Sequence, residues 1–460
     1  MTTKLSTARL KRCALLVLGT LSSVASAADL VSTWQDAQGA DPGFAAARAE
    51  FRASDEALPQ ARAALLPHLQ TAFGVGSTWA SVSDLPRQAY TTNGYGAQVV
   101  VPVFHWGDWQ GLEIGKLHVA RGEVAFEKAR QKLMLDVARA YFDVLLAQDT
   151  LRFAKAHEAS LEQQLNTAQA AFDAGDQTVV DVDQARATRD LAKADRAAAT
   201  SDFAIRVARL NKLVGHPVGD LATLPDAARL PPVAPDELEK WVDLAQHQNL
   251  DVAGEEIDLE VARRETRRAR AADMPTVDLV ASFNHSSQAN SRYMYAANLP
   301  GNAGIGVAGG AGNSSVVGIQ ITIPIFAGGS IQSRKRETLA LEDKASNDLL
   351  NARENAALDA RQTCLALFNG VDRIAALQSA VISTRTSSGS ARTAYEVGDR
   401  ASTDVLIAED KQYASQTALS RARYDYLIHR LELAQIAGQL TDADLASINA
   451  LLREPAAGPR

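Results

Sequence analysis

The sequence has few of the features that would stabilise a chain covalently or carry it across a bilayer as helices. It has 2 cysteines in 460 residues, and aromatic residues make up only 6% of it. No run of 18 or more consecutive apolar residues occurs, the length that a membrane-spanning helix needs. These shortages exclude a disulfide-rich fold and a bundle of membrane-spanning helices. If the protein enters a membrane, it does so through β-strands.

Residues 1–27 have the pattern of a secretory signal peptide. A basic segment precedes the short apolar stretch Ala14–Leu21, and Ala25-Ser26-Ala27 forms a cleavage site. Cys13 lies at the start of the apolar stretch, where a lipid-bearing cysteine is not expected. Processing therefore leaves Cys364 alone, and no intrachain disulfide is predicted.

The charge and the motifs argue against nucleic-acid binding and catalysis. The formal net charge is −7, which does not favour nucleic acid as a partner. The glycines Gly304, Gly306 and Gly309 match a dinucleotide fingerprint, but they lie in a loop rich in Gly, Asn and Ser between two predicted strands. No helix N-terminus would meet a pyrophosphate there. We expect no enzyme activity, no cofactor and no metal centre.

The most informative feature of the sequence is an internal duplication. Several landmarks recur roughly 220 residues later in the chain, which indicates one structural unit used twice. The matched pairs are Val101–Phe104 with Ile323–Phe326, Gly175 with Gly398, and Gly215 with Gly438.

Each unit is predicted to contain a helix, two strands and a long helical hairpin. Repeat 1 covers residues 28–215 and repeat 2 covers 237–440, with a proline-rich linker at 216–236 and a C-terminal tail at 441–460. The predicted strands are residues 68–80, 94–104, 276–285 and 316–326, and the predicted hairpins are 112–213 and 331–437.

The four predicted strands favour a membrane barrel shared between copies of the chain. Each strand alternates between apolar residues and small or polar residues, which suits lipid outside and water inside. Four strands cannot close such a barrel, and lipid does not tolerate open edges. Three copies would give twelve strands and two would give eight. A long antiparallel coiled coil with unrelated sheets, or a trimeric coiled-coil adhesin or structural protein of the envelope, is the alternative.

Two pairs of residues are candidates for function. Asp181 and Asp404 each follow a turn glycine, Gly175 or Gly398, at the same spacing. In a symmetric oligomer they would form rings of carboxylates that select cations. Alternatively, each aspartate stabilises the first turn of its own helix.

Trp106 and Trp109 follow the second strand, where the chain would leave the lipid layer. They are candidates for an aromatic girdle at the membrane interface. Ordinary packing at a strand-to-helix junction is the alternative.

At several of these positions the chain resembles the TolC family of outer-membrane channel-tunnels. The matching residues are the turn from Tyr395 through Gly398 and Arg400 to Asp404, and the stretch Ala422–Tyr426. The resemblance implies a mixed α and β membrane protein: a homotrimer with a twelve-stranded β-barrel in the outer membrane, continuous with a periplasmic α-helical barrel. It also implies a periplasmic adaptor and an inner-membrane transporter of the ABC, RND or MFS class, serving type I secretion or multidrug efflux.

The resemblance also implies a gate at the periplasmic end of the channel. The family's gate links a tyrosine and an arginine of the second turn to two residues that follow the first turn. The matching residues here are Tyr395 and Arg400 in the second turn, and Val180 and Asp181 after the first. Val180 has no side chain that can accept a hydrogen bond, so one link departs from the pattern. Ile407 replaces a second aspartate of the aperture, which implies weaker block by divalent cations.

Overall fold

A computed structural model describes residues 28–80, 88–226, 228, 230–231, 237–289 and 310–453. The predicted signal peptide, the glycines Gly304, Gly306 and Gly309, and residues 454–460 lie outside the described residues. The helices are α1 (Leu30–Ala40), α2 (Pro42–Asp55), α3 (Ala57–Ala63), α4 (Trp106–Asp173), α5 (Val179–Val214), α6 (Leu238–Gln248), α7 (Leu250–Ala271), α8 (Ser330–Glu396), α9 (Ser402–Ile436) and α10 (Asp442–Asn449). The strands are β1 (His68–Ala80), β2 (Gln88–Phe104), β3 (Thr276–Ala289) and β4 (Gly310–Thr322).

The four strands form one antiparallel sheet in the order β1-β2-β3-β4. Its register aligns odd-numbered residues across the sheet, so that Phe73 lies opposite Tyr95 and Leu279 lies opposite Ile319. These side chains are exposed, with Phe73 83% and Ile319 70% accessible. A broad apolar face open to the surroundings is the pattern of a sheet that faces lipid.

The opposite face of the sheet carries mainly glycine and polar residues, with the charged Asp278 near its end. Gln98 lies opposite Ser282 in the register, and Asp278 lies opposite Gln320. Within the described part of one chain, β1 and β4 each pair along one edge only. A membrane sheet with two free edges needs partner strands from other chains.

Three strands differ from their predicted bounds at the ends. β3 continues to Ala289 rather than residue 285, and β4 begins at Gly310 rather than residue 316, because these two strands keep pairing there. β2 begins at Gln88 rather than at residue 94, because it continues to pair with β1 up to that point. β4 ends at Thr322 instead of residue 326. Thr276 is the first residue of β3 and pairs with Thr322, so the residues after Thr322 have no strand opposite them. In β2, a shift in register lets the chain pass Pro102 and pair once more, through Phe104 with Val277.

The helices also differ from the prediction in three places. The segment predicted as one helix before β3 is divided into α6 and α7, with a break at Asn249, which caps α7. The segment predicted as one helix before β1 is divided into α1, α2 and α3, with a break at Asp41 before Pro42. A residue before proline is disfavoured in the helical conformation, and Asp41 is extended with ψ of 119°. The C-terminal tail, for which no helix or strand was predicted, contains α10, which begins with a capping box between Thr441 and Asp444.

The chain forms two compact units, which do not coincide with the two sequence repeats. One contains the described residues within Met1–Ala45, Arg130–Trp241 and Ala360–Arg460, and the other contains those within Ala46–Ala129 and Val242–Asp359. In the first unit, small residues allow close helix packing: Leu165 and Ala168 of α4 contact Val182 and Ala185 of α5. Two of these four side chains are alanine, which lets the two helices approach closely.

Among the described residues, helix α8 is long enough and apolar enough to cross a membrane, judged by length and composition alone. Its most apolar 18-residue stretch has a mean hydropathy of 1.3. A single helix of this kind is weak evidence for a membrane crossing, since helices packed in protein pass the same test. α8 forms the second helical hairpin with α9, and Ala391 of α8 packs against Val405 and Ala408 of α9.

Candidate functional site at the helical hairpin turns

The two hairpins end in turns of the same construction. Gly175 and Gly398 follow α4 and α8 with φ of 84° and 78°, a left-handed conformation that glycine adopts without strain. In the first turn Asp176 N donates to Ala171 O at 2.8 Å, and in the second Asp399 N donates to Ala394 O at the same distance. This is the hydrogen-bond pattern of a Schellman motif. The duplication therefore reproduces the turn geometry as well as the sequence.

Asp181 lies in the first turn of α5 and completes its N-terminal cap. Its Oδ2 accepts from Thr178 Oγ1 at 2.7 Å and from Thr178 N at 3.1 Å, while Asp181 N donates to Thr178 Oγ1. The hydrogen bond from the Thr178 side chain, followed by the one from its backbone, lowers the pKa of Asp181. Asp181 thus has the structural role that the alternative interpretation gave it, and it keeps its charge near neutral pH.

Asp404 occupies the matching position in α9 but has different contacts. Its helix begins after Ala401, which has no side-chain cap. The Asp404 Oδ2 lies 3.9 Å from Arg400 Nη1, and both side chains are about half exposed. An ion pair this long and exposed is weak. Asp404 is consequently the less engaged of the two aspartates.

Tyr395 connects the two turns within one chain. Gln177 Nε2, in the first turn, donates to the Tyr395 hydroxyl at 2.5 Å. Sequence reasoning placed the partner of Tyr395 at Val180 and Asp181 and did not consider Gln177. The repeat itself carried the signal, because Gln177 stands in the first turn where Arg400 stands in the second. Val180 is 66% exposed and takes no part in this contact.

A second polar contact joins the hairpins further along their helices. Arg392 Nη2 of α8 donates to Ser160 Oγ of α4 at 2.6 Å and to Glu409 Oε1 of α9 at 2.7 Å. Nearby, Leu161 of α4 packs with Leu406 of α9. No sequence motif marked these residues, since contacts between hairpins depend on how the helices are aligned in three dimensions.

The cysteine among the described residues, Cys364, is not a candidate nucleophile. Cys364 is fully buried in an apolar cluster, and burial raises the pKa of its thiol to about 11. Such a thiol is unreactive. Among the described residues, no group of three or more His, Cys, Asp or Glu side chains is placed to hold a metal ion.

Comparison with known proteins identifies the family. The profile of the family described as outer membrane efflux protein matches residues 33–216 and 241–439, which is most of the chain. The chain belongs to this family.

Two relatives and one solved structure illustrate the likeness. The outer membrane protein TolC of Vibrio cholerae is 28% identical over 95% of this chain and 96% of its own length. The alkaline protease secretion protein AprF of Pseudomonas aeruginosa is 28% identical over 89% of this chain and 84% of its own. The crystal structure of the Campylobacter jejuni CmeC outer membrane channel has the same fold, with a TM-score of 0.76, 15% identity, and coverage of 92% of this chain and 89% of that one.

As an outer membrane efflux protein, the chain is a transport protein of the Gram-negative outer membrane and not an enzyme. The predicted fold class, with four strands per chain and long helical hairpins, is confirmed. Family membership implies a trimeric channel, which gives the free edges of β1 and β4 their partners. A coiled-coil adhesin is ruled out by this family and fold.

The tryptophans of this efflux protein lie at the end of the sheet where α4 begins. Trp106 and Trp109 are in the first turn of α4, and not in a loop before it, with 43% and 51% of their side chains exposed. Between the strand and the helix, His105 lies 2.9 Å from Asp108 and 3.0 Å from Asp278. The two carboxylates beside His105 make this end of the sheet polar, and the role of the tryptophans as an interface girdle stays a prediction.

Proposed function

We propose that this efflux protein is a passive exit duct, supplied by an inner-membrane transporter through a periplasmic adaptor. The observation that carries the proposal is the sheet, which exposes one apolar face and leaves both edges unpaired. Such a sheet is stable in lipid only when it closes with copies of itself around a polar interior. A duct of this kind has no energy source of its own, so transport depends on a partner.

The hairpin turns support a docking role toward the adaptor. Their apolar side chains stay exposed, with Val180 and Val397 at 66% and 75%. Exposed apolar residues at the tips of rigid helices are suited to burial against another protein. The transporter behind the adaptor, of the ABC, RND or MFS class, determines what enters the duct.

For cargo, we propose proteins of type I secretion or small toxic compounds. The similarity to a protein named for alkaline protease secretion favours the first, and the family description favours the second. The test is expression in a Gram-negative strain that lacks its own channel, with a protease exporter and a drug pump supplied in turn. Restored protease export or restored drug resistance identifies the cargo, and failure with every transporter class contradicts the proposal.

We also propose that Asp181, Tyr395, Arg400 and Asp404, with Gly175 and Gly398 as the turn glycines, form the aperture of the duct. Gln177 belongs with this set because it holds Tyr395. Three copies of Asp404 around one axis would form a carboxylate ring that attracts divalent cations. The same ring would favour cations over anions in conduction.

The ring predicts the behaviour of the Asp404→Ala variant in planar bilayers. Block of the channel by millimolar divalent cations should weaken by about tenfold, because the charge that binds the ion is removed. Asp181→Ala is the matched control, and it should change the block less, since Asp181 is already engaged by Thr178. Unchanged block in Asp404→Ala would remove Asp404 from the aperture.

A further inference from the structure

Two pairs of prolines match the first β-hairpin of the sheet, β1 with β2, to the second, β3 with β4. β1 begins directly after Pro67, and β3 begins directly after Pro275. Pro102 lies near the end of β2, and Pro324 lies two residues beyond Thr322, the last residue of β4. When each proline is placed on its counterpart, every residue of β1 has an equivalent in β3. Every residue of β2 has an equivalent in β4 or in the short segment that follows it.

The observed pairing agrees with this equivalence. His68 pairs with Val100 in the first hairpin, and their equivalents Thr276 and Thr322 pair in the second. The pairs further along the two hairpins correspond in the same way. The prolines alone do not require this agreement, because the register of a hairpin depends on its turn and on its apolar pattern. The two hairpins are therefore equivalent in register as well as in sequence.

The pairing of β2 with β3 joins the end of one hairpin to the start of the next. The joined pairs at this end are Val101 with Leu279, Pro102 with Asp278 and, after a shift in register, Phe104 with Val277. The described part of one chain holds no third hairpin, so the corresponding edge of β4 and the outer edge of β1 are both free. A second copy of the chain carries the hairpin that would continue the pattern, and contacts of this head-to-tail kind close into a ring.

The residues that follow β4 are apolar and have no strand beside them in a single chain. Ile325 is 94% exposed and Phe326 is 87% exposed. Phe104, the equivalent of Phe326, is 43% exposed where it pairs with β3. At the free edge of β1, Leu69 is 69% exposed. Pairing between the two edges would cover apolar surface at both of them.

We infer that β4 of one chain pairs with β1 of the next copy in the register that β2 and β3 have within a chain. The inference rests on the shared barrel of the proposed function and specifies how its seam is built. The equivalent pairs, with the residue of the next copy second, are Phe326 with Leu69, Pro324 with Gln70, Ile323 with Thr71, Ile321 with Phe73, and Ile319 with Val75. Ile325 takes the place that Val103 has at the shift in register. β4 therefore lengthens from Thr322 to Phe326 when the chains assemble.

This register keeps both faces of the sheet continuous across the seam. On the apolar face Ile321 lies opposite Phe73, and on the other face Gly318 lies opposite Gly76. A displacement by one residue would bring the apolar side chains of one strand against the polar face of the other. A displacement by two residues would keep the faces in place, so it has to be distinguished by experiment.

Disulfide cross-linking of the full-length protein in outer membranes tests the register. With Phe73→Cys and Ile321→Cys in the same chain, the two thiols lie opposite each other across the seam, where Cα atoms are about 4.5–5.5 Å apart. Oxidation should give covalent trimers on a non-reducing gel, in a yield about tenfold above the controls, because diagonal pairs lie beyond the usual reach of a disulfide. The matched controls combine Phe73→Cys with Ile319→Cys or with Val317→Cys. Cys364 is fully buried and does not compete.

A second pair tests the seam beyond the last residue that pairs in a single chain. Thr71→Cys with Ile323→Cys should also give covalent trimers, and it keeps the test valid if the first pair weakens the fold. Cross-linking of Phe73→Cys through Ile319→Cys in preference to Ile321→Cys would show a displaced register and overturn the inference. Absence of every cross-link in a protein that light scattering shows to be trimeric would overturn it too, while the shared barrel would stand. A monomer in light scattering would contradict the proposed function itself, and the inference with it.

Discussion

At the scale of single residues, His429 is a built-in source of pH dependence in the helical part of the chain. Its Nδ1 lies 2.7 Å from Glu432 Oε2. The hydrogen bond with Glu432 is the main cause that raises the pKa of His429, with burial opposing it. The other charged groups that act on the ring are Asp425, which raises the pKa further, and Arg139, which lowers it.

The raised pKa fixes the sign of the effect on stability. A group whose pKa is higher in the folded state contributes fully below its unfolded pKa, here 6.5, and loses that contribution as pH rises through the folded value. As pH rises from 6.5 through the folded-state pKa of His429, the free energy of unfolding of the wild type should fall by about 1 kcal/mol or less, because solvent screens this partly exposed pair. Unfolding followed by circular dichroism measures this loss. The His429→Gln variant should not show it.

His247→Gln is the control for His429→Gln. His247 pairs with Asp243 at 3.3 Å on an exposed surface, where such a pair contributes little. Its replacement should leave the pH dependence of the wild type in place. A pH profile of His429→Gln identical to that of the wild type would show that the slope has another source.

At the scale of elements, the hairpin turn of α8 and α9 depends on the conformation of one glycine. Gly398 has φ of 78°, which an alanine adopts only with strain, although there is open space around it. Gly398→Ala should therefore lower the free energy of unfolding by about 1 kcal/mol. Gly389→Ala is the matched control, because Gly389 lies inside α8 with open space around it.

The two alanine variants should change stability in opposite directions. Gly389→Ala should raise the free energy of unfolding by roughly 0.5–1 kcal/mol through helix propensity. Denaturant titration of both variants measures the two values under one condition. A stabilising Gly398→Ala would mean that the turn is not left-handed.

The sheet allows a second matched pair of substitutions. Ile319 and Gln320 are neighbours in β4 and lie on opposite faces, the first on the apolar face and the second on the polar face. Ile319→Arg should cost up to about 2–4 kcal/mol, the value for a charge at the centre of the bilayer, whereas Gln320→Arg should be tolerated in a water-filled interior. Folding yield into lipid vesicles, read by gel shift, distinguishes them. Equal losses in both variants would contradict the assignment of the faces.

At the scale of the whole molecule, the free edges of β1 and β4 determine the number of chains. The full sequence has a mass of 49.1 kDa, and the mature chain is lighter by the predicted signal peptide of residues 1–27. Light scattering in detergent, corrected for bound detergent, should give three chain masses for the assembled channel, since twelve strands enclose a water-filled passage. A stable monomer would refute the shared barrel, and a dimer would require a narrow barrel of eight strands.

Most of the architecture could be predicted from the sequence because it depends on periodic patterns. The alternation along Val99, Val101 and Val103 predicted a strand, and the recurrence of Gly175 at Gly398 predicted two equal turns. Strand ends were less predictable. Whether the chain continues past Pro102 or stops before Pro324 depends on the partner strand, which local sequence does not show.

The candidate site was predictable only in part, for a similar reason. Asp181 and Asp404 match in sequence, yet Thr178 caps the first helix while Ala401 leaves the second uncapped. Asp181 therefore takes part in capping its helix, whereas Asp404 does not. The link from Gln177 to Tyr395 and the buried Glu409 depend on contacts between helices more than 200 residues apart in the chain.

The two unpaired sheet edges have a genetic consequence. A chain whose β4 edge cannot pair, but whose β1 edge can, would still enter assembling channels and leave each of them open at one seam. If such a variant is expressed in equal amount beside the wild type, only about one channel in eight would contain three intact chains, given random mixing in a trimer. Edge mutations should therefore be dominant over the wild-type gene, while mutations that unfold the whole chain should be recessive.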